Sequence, residues 1–238
     1  MPRETGLRGS GKRLSLFKYF SNREYADQFL EGNVFCQTAS YFRDYEDAEA
    51  RQVRGDEYEG TLVYRPAGGL QVNNVTNGTS GPLQMGMECL VKGRDIYICC
   101  LSRSFDDVLL REFKAVACVE IVGPREFISR WENALPAEAR RKEQHVARRV
   151  KYYNREDLPG NVWALPDLII TTKLKRFEYQ KEFRLAYTST DAFGFENCDY
   201  RLVDRIARPL PKPEEHRCQT LELGNLRSIC RTRDVPTL

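Results

Sequence analysis

Gln180 and Glu182 are the two side chains of this sequence whose types and spacing suggest chemistry on a sugar. Residues 178–187 alternate charged or polar residues with aromatic or apolar ones, which predicts a strand. Residues two apart on a strand project from the same face, roughly 7 Å from each other. A carboxylate and an amide so placed can orient a sugar hydroxyl and stabilise developing positive charge. The sequence leaves open whether this face lines a cleft or whether Glu182 only pairs with Arg184 or Lys173.

Two segments near the start of the chain offer groups that could converge with this strand. Lys18 lies on a predicted strand, and Ser21 and Glu24 have the spacing of a capping box at the next helix start. A cation beside a helix N-terminus suits a phosphate. Ser40 and Tyr41, after the following strand, offer a hydroxyl and an aromatic ring for stacking. The alternatives are a solvated lysine and a core tyrosine.

Composition narrows the classes of protein. The 238 residues fit one large domain, and the sequence has no signal-peptide pattern and no apolar run of roughly 18 residues. We expect a soluble, cytoplasmic protein without a membrane partner. Eight cysteines show no Cys-x-x-Cys pair, and the four in apolar strand-like runs, at 89, 99, 100 and 118, are expected to be reduced core thiols. Two histidines in the whole chain argue against a Ser–His–Asp hydrolase, and no spacing predicts a metal site.

The net charge of +3 conceals a basic segment. Residues 136–155 hold seven basic and two acidic side chains, a local charge of +5, and Pro136 is expected to start a basic helix there. A solvated helix face is the simpler interpretation, and a nucleic-acid surface is the functional one. The candidate nucleic-acid-binding residues are Arg140, Arg141, Arg148, Arg149, Lys151 and Tyr152.

The elements that must position these groups predict an α+β fold. The chain opens as strand, helix and strand over residues 14–36, and Pro124 starts a helix just before the basic one. Further strands are predicted at 61–64, 70–72, 87–91, 96–101, 115–122, 150–153, 168–172, 182–188 and 220–223, with a loop at 73–82. We therefore expect mixed and antiparallel sheets with clustered helices.

The predicted organisation has three parts. Residues 1–13 form a flexible basic tail, because they are rich in Gly, Arg and Ser and carry a charge of +3. Residues 14–208 form a single α+β domain of catalytic type. Residues 209–238 form a segment that starts with three prolines in five residues and packs on the domain.

Three stretches together carry a resemblance to a known family: Leu16–Glu46, the Ile98–Ser102 stretch with its Cys-Leu-Ser ending, and Lys175–Leu185. They resemble a family of uncharacterised bacterial proteins associated with phage defence. That family is similar to a remote branch of the ADP-ribosyltransferase fold, which includes CmdT-like toxins. The resemblance covers most of residues 14–187.

The resemblance implies an NAD-dependent ADP-ribosyltransferase, a toxin-like defence effector. Glu182 falls at the catalytic position, and Gln180 completes a Gln-x-Glu arrangement. Lys18 falls where the superfamily carries Arg or His, a departure because lysine cannot make a bidentate contact. The basic segment favours a nucleic-acid acceptor, RNA in particular, and the class allows for an antitoxin or chaperone partner. The implied NAD-binding residues are Lys18, Tyr19, Ser21, Ser40, Tyr41, Asp56 and Glu59.

Two other functions remain open from the residues. The first is a non-catalytic nucleic-acid-binding or antitoxin-like regulator, which would use the same basic segment and in which Glu182 would be structural. The second is a metal-dependent nuclease using Asp44, Glu46, Asp56 and Glu59. It is the weaker alternative because its acids lie in one loop, whereas such sites gather ligands from several elements.

Overall fold

The computed structural model describes residues 15–43, 56–158, 160–204 and 216–236. The predicted basic tail, the three prolines at 209–213, Asp44 and Glu46 lie outside these ranges. The strands are β1 (Leu16–Phe20), β2 (Asn33–Thr38), β3 (Thr61–Tyr64), β4 (Leu70–Asn73), β5 (Ser80–Leu83), β6 (Met85–Val91), β7 (Tyr97–Ser102), β8 (Ala117–Ile121), β9 (His145–Arg149), β10 (Lys151–Tyr153), β11 (Thr172–Leu174), β12 (Glu182–Tyr187), β13 (Cys198–Asp204), β14 (Cys218–Glu222) and β15 (Cys230–Arg233).

The helices of the described ranges are short. The α-helices are α1 (Arg23–Leu30), α2 (Ala39–Arg43), α3 (Asp107–Glu112), α4 (Pro124–Ala134), α5 (Ala137–Arg141) and α6 (Pro166–Ile169), and 3₁₀ turns occur at Gly93–Asp95, Gly160–Ala164, Lys175–Gln180 and Phe195–Asn197. Throughout the described ranges, no helix has the length and apolar character needed to cross a membrane.

An eight-stranded sheet is the centre of the fold, and β7 is its hub. β12 pairs antiparallel with β7 over its whole length, from Tyr97 to Ser102. A strand has two edges, so β1 and β2 must share the other edge of β7. β2 pairs there at Tyr97 and Ile98, and β1 pairs at Ser102. The sheet therefore forks along β7, with a β2–β14 branch and a β1–β8–β15 branch on either side of a gap.

Two apolar clusters cover the two faces of this sheet. α1 and α4 pack on one face through Phe29, Phe127 and Trp131. The three-stranded sheet β13–β6–β3 and α6 contribute Leu62, Val91, Ile169 and other residues to the second cluster. Every residue of β12 is buried. Phe183, Leu185 and Tyr187 belong to the first cluster, and Ala186 belongs to the second. The predicted α+β class with antiparallel sheets is confirmed, and β10–β11 add a short parallel pair.

Three predicted elements differ in the structure. The basic helix is short, because α5 ends at Arg141 and the chain then pairs with β12 as β9. Of the strand predicted at 168–172, only Thr172 belongs to a strand, as the first residue of β11. Pro166 begins α6 instead, and the hydroxyl of Thr172 donates to the Leu168 carbonyl in this helix. Within the loop predicted at 73–82, residues 74–79 connect β4 and β5 outside any strand, and residues 73 and 80–82 belong to the two strands. β13 and β15 were not predicted, and their pairings are long-range.

Two local predictions near the candidate site are also corrected. The N-cap of α1 is Asn22 and not Ser21, and the Asn22 side chain accepts a hydrogen bond from the Glu24 N–H at 2.9 Å. The strand predicted from residue 178 starts only at Glu182. Residues 175–180 form a 3₁₀ turn, which ends at Lys181 in the left-handed region with φ of 45°. Gln180 and Glu182 are therefore not alternate residues of one strand.

The turn after α1 requires glycine, which generates a testable prediction. Gly32 has φ of +109°, and a Cβ there would lie 2.2 Å from the Gly224 carbonyl oxygen. The Gly32→Ala substitution should lower the free energy of unfolding by about 3 kcal/mol or more, from backbone strain and the clash. Urea unfolding measures this loss. Gly68→Ala is the control, because nothing lies within 4 Å of a Cβ at Gly68, and equal midpoints for both variants would contradict the prediction.

Candidate functional site

The gap in the forked sheet opens into a cavity of about 350 Å³. This volume is within the range of small-molecule sites, about 300–1,000 Å³. Residues from β1, β2, β7 and β12 line it, together with the start of α1, the 3₁₀ turn before β12, and α2. The elements come from widely separated parts of the chain. The cavity is thus a product of the sheet topology.

Lys18 crosses the gap between the two branches of the sheet. Its Nζ donates to the Cys100 carbonyl of β7 at 2.9 Å and lies 3.8 Å from the Cys99 sulphur. The Cys100 carbonyl faces the gap because the pairings of β2 and β1 with β7 stop on either side, at Ile98 and Ser102. Lys18 therefore satisfies a backbone acceptor that neither branch can reach, and it is half-buried.

A buried cluster of four charges forms the polar base of the cavity: Glu59, Lys173 and Glu182 line it, and the fourth member, Arg184, does not. Arg184, with no exposed surface, donates to both oxygens of Glu59, at 2.5 and 3.2 Å, and to Glu182 Oε1 at 2.9 and 2.8 Å. Lys173 Nζ lies 3.0 Å from Glu182 Oε2 and 3.9 Å from Glu59 Oε2. It also donates to the Gln180 side-chain oxygen at 3.2 Å. Two carboxylates and two cations thus compensate one another where water is excluded.

The two cations keep Glu182 ionised. Burial by itself raises the pKa of a carboxyl group, but Arg184 and Lys173 outweigh burial and lower the pKa of Glu182 to about 2. For Lys173, burial lowers the pKa, while Glu182 and Glu59 raise it above the ordinary value. Glu182 Oε2 makes the ion pair with Lys173 but has no hydrogen bond of good geometry.

Aromatic rings form the walls above this charged base. Eight of them line the cavity: Phe17, Tyr19, Phe20, Tyr25, Phe35, Tyr41, Phe42 and Phe113. Tyr41 meets Phe42 and His216 edge-on, at ring-centroid distances of 5.4 and 5.8 Å. Tyr25 and Phe35 are more than half exposed, at 56% and 51%. Charged groups below and aromatic faces above suit a ligand with a flat ring and a polar end.

The structure brings together seven of the nine residues predicted for catalysis and cofactor binding. Gln180, Glu182, Lys18, Tyr19, Ser21, Tyr41 and Glu59 line the cavity. Tyr19 does so with its ring, because its hydroxyl donates to the Ser104 carbonyl at 2.7 Å. Ser40 does not line the cavity, and its buried hydroxyl donates to Thr38 Oγ1 at 3.1 Å.

Asp56 lies beside the charged cluster rather than in the cavity. It is buried, its Oδ1 accepts from the Tyr58 N–H at 3.0 Å, and it lies 3.8 Å from Arg176. Burial raises the pKa of Asp56 to about 6, although nearby Lys173 opposes this shift. Asp56 therefore stabilises the turn that contains Glu59, through its hydrogen bonds with the N–H groups of Tyr58 and Glu59.

The predicted nucleic-acid residues divide into two groups. Arg140 and Arg141 are exposed on α5. Arg148 is half-buried on β9 and pairs with Asp167 at 2.9 Å, so it is not free for phosphate. Arg149 and Lys151 are exposed where β9 passes into β10. The Tyr152 hydroxyl accepts from the Glu182 N–H at 2.8 Å, which connects this basic group to the base of the cavity.

Lys173 and Arg184, which the sequence suggested only as alternative partners of Glu182, both pair with it in the structure. Phe35 and Gln37 line the cavity from β2 and were not predicted. The burial pattern of β2 alternates, with Val34 and Cys36 in the core. The alternation of side chains along residues 33–38 therefore indicated that residues 35 and 37 lie on the same face of β2, opposite the core.

No protein-family model, curated protein or solved structure matches the chain.

The ion pairs of Glu182 predict how stability depends on pH. The pKa of this carboxyl is lower in the folded protein than its ordinary value of 4.5, so its contribution is complete above pH 4.5 and lost as the pH falls through about 2. The loss is on the order of 3 kcal/mol. Urea unfolding of wild type and Glu182→Gln across this range measures it, because the stability difference should shrink as the pH falls.

Asp56 provides a control of opposite sign. Its pKa is raised from 3.8 to about 6, so its contribution to stability falls as the pH rises through that interval. Asp56→Asn should remove this decline and leave the acid-side loss at Glu182 unchanged. A difference between wild type and Glu182→Gln that stays constant down to pH 2 would contradict the assigned ion pairs.

Proposed function

We propose that this protein is an NAD-dependent ADP-ribosyltransferase of the toxin-like defence class and that its acceptor is a nucleic acid, RNA in particular. The observation that carries the proposal is that Lys18 of β1 and Glu182 of β12 line one cavity, although 164 positions separate them in the sequence. A two-branched sheet enclosing such a cavity is consistent with the ADP-ribosyltransferase fold that the sequence motifs suggest. NAD has the flat rings and anionic linker that the aromatic walls and Lys18 would bind.

The ionised state of Glu182 suits the proposed reaction. Cleavage of the bond between nicotinamide and ribose generates an oxocarbenium-like cation, and a fixed carboxylate stabilises that charge most in the transition state. Arg184 and Lys173 weaken the field of Glu182 at the ribose, but they also keep it deprotonated. A carboxylate with a pKa of about 2 is a poor general base, so its role would be electrostatic rather than proton abstraction.

Glu182 Oε2 offers a position for a ribose hydroxyl. It is the one buried carboxylate oxygen within the described ranges that has no hydrogen bond of good geometry. A ribose hydroxyl could donate to it beside Lys173 and thereby place the anomeric carbon close to the carboxylate. Gln180, held by Lys173 at 3.2 Å, would position the incoming nucleophile, and Tyr41 would stack on the nicotinamide ring.

The nucleic-acid acceptor is supported by cations next to the cavity. Arg149 and Lys151 are exposed, and neither forms an ion pair within the part of the chain that the structure describes. Arg103 has a buried Nε without a hydrogen-bond partner, and burial, followed by nearby Arg149, lowers its pKa. Like charges held together without a carboxylate favour an external polyanion. The hydroxyl of Tyr152 joins this group to the Glu182 backbone.

Transfer of labelled ADP-ribose from NAD tests the catalytic assignment. The protein is incubated with NAD carrying a label in the adenylate half and with total cellular RNA, DNA and protein, and the products are treated with RNase, DNase or protease. Wild type should label an RNase-sensitive product. Glu182→Gln should reduce the rate by roughly a thousandfold, the scale of losing a strong transition-state contact.

The matched control is Glu88→Gln. Glu88 is another fully buried carboxylate, paired with Arg65 and Arg201 at 2.9 and 2.7 Å, and it does not line the cavity. Both variants should lose stability on the scale of a broken buried ion pair, about 3–5 kcal/mol, but only Glu182→Gln should lose transfer. Equal labelling by wild type and Glu182→Gln would reject the catalytic role. No labelling, with a melting temperature unchanged by NAD, would favour the non-catalytic binding protein.

Binding of single-stranded RNA tests the acceptor surface. Arg149→Gln should weaken binding several-fold at low salt and reduce the slope of log K against log salt by about 0.7, the value for one phosphate contact to a single strand. Arg125→Gln is the control, because Arg125 is an exposed arginine on α4 and does not belong to the basic group. Equal weakening by the two variants would indicate only a net-charge effect and would contradict the proposed surface.

A further inference from the structure

Two cysteines face each other where β2 separates from β7. β2 and β7 are antiparallel, with Thr38 opposite Tyr97 and Gln37 opposite Ile98. The next step of the same register sets Cys36 opposite Cys99. Both are 1% exposed and belong to the same apolar cluster. Cys36 and Cys99 lie one position beyond the last pair of this ladder. Paired residues of antiparallel strands have Cα atoms about 4.5–5.5 Å apart, and a disulfide spans Cα distances of about 4.4–6.8 Å, so a small separation of the strands still allows the bond.

The two thiols have unequal chemistry. The Cys36 thiol donates to the Val34 carbonyl at 3.9 Å, and Lys18 Nζ lies 3.8 Å from the Cys99 sulphur. The neighbouring Cys36 thiol and the Lys18 ammonium group outweigh burial and lower the pKa of Cys99 to about 6, whereas the pKa of Cys36 is raised. A thiolate with a neighbouring thiol is the usual arrangement of a redox-sensitive pair.

We propose that Cys36 and Cys99 form an oxidation site, at which a peroxide converts two thiols into a disulfide between β2 and β7. Lys18 lies 3.8 Å from the Cys99 sulphur and also lines the cavity, so this one side chain connects the buried cysteine pair with the cavity. This inference does not depend on the proposed transferase activity.

The reaction balances in two steps. The Cys99 thiolate attacks one peroxide oxygen, the O–O bond breaks, and the departing oxygen takes a proton and leaves as water. The product is a sulfenic acid at Cys99. The Cys36 sulphur then attacks the Cys99 sulphur, the S–O bond breaks, and the hydroxyl leaves with the Cys36 proton as a second water. Two thiols and one hydrogen peroxide therefore give one disulfide and two waters.

The other thiols of the chain lack this combination. Cys198 lies opposite Val91, and Tyr200 lies opposite Cys89, so Cys89 and Cys198 are diagonal neighbours. Diagonal positions are about 7–8 Å apart, beyond the ordinary range for a disulfide. Burial raises the pKa of Cys118 to about 12, and Cys218 is exposed. The pKa of Cys198 is also lowered by its Cys89 neighbour, so the features that set Cys36 and Cys99 apart are their facing positions and the adjacent Lys18.

Oxidation at this site would act on the cavity through Lys18. The disulfide removes the negative charge of the Cys99 sulphur beside the Lys18 ammonium group. Lys18 then keeps its hydrogen bond to the Cys100 carbonyl. It also fixes β2 to β7 at the fork. The oxidation state of the pair would therefore set both the charge environment of Lys18 and the separation of the two branches.

Peptide mapping of the unaltered full chain tests the proposal. The protein is treated with limiting hydrogen peroxide, the remaining thiols are blocked, and the protein is digested without reductant. The expected product is a Cys36–Cys99 linked peptide, with the chain lighter by two hydrogens and its melting temperature raised until reductant is added. Cys36→Ser and Cys99→Ser should each abolish the linked peptide, and Cys118→Ser should leave it unchanged.

Two outcomes would overturn the proposal. In the first, peroxide oxidises the exposed Cys218 while Cys36 and Cys99 remain reduced. In the second, the disulfide that forms joins other cysteines. A rate measurement at about pH 5, below the Cys99 pKa of about 6, isolates the cation. Each unit of pKa then changes the thiolate fraction about tenfold, so Lys18→Met should slow formation of the linked peptide by roughly that factor. An unchanged rate in Lys18→Met would refute the role assigned to its charge.

Discussion

The guanidinium of Arg184 is shared between Glu59 and Glu182 and has no contact with solvent. A third acceptor, the Ile170 carbonyl, lies at the end of α6. This one side chain therefore joins β12, the turn before β3 and α6. Because burying a charge without partners is very unfavourable, all these elements must be in place together. The geometry of Glu182 in the cavity follows from that requirement, and Lys173 completes the charge balance.

The cavity depends on a second constraint, the limited number of strand edges. β12 occupies one edge of β7 completely, so β1 and β2 divide the other edge and leave a gap around Cys100. The Lys18 side chain enters the gap and donates a hydrogen bond to the Cys100 carbonyl. Side chains from both branches then form the aromatic walls. A ligand in this cavity would contact both branches and the charged base at once. Its binding would therefore depend on the distance between β1 and β2.

The sequence predicted much of the candidate site, although parts of the reasoning behind it were wrong. Glu182 and Lys18 line one cavity, as expected from the motifs around them. Gln180 lies there too, but through a 3₁₀ turn rather than strand alternation. The predicted basic helix ends already at Arg141, because pairing of β9 with β12 outweighs local helix propensity in the residues that follow. Arg148, expected to bind phosphate, pairs with Asp167 instead.

The sequence by itself determined the local features of this protein. Pro124 begins a helix, Gly32 ends the turn after α1, and the alternation within β2 and β12 assigns their faces. These features depend on backbone preferences and on period, which act over a few residues. The tertiary structure alone decided that Lys18 meets the Cys100 carbonyl 82 positions away, and that Arg184 joins two carboxylates. Such contacts depend on strand register and on compensation of buried charge, and both are fixed only when distant segments pack together.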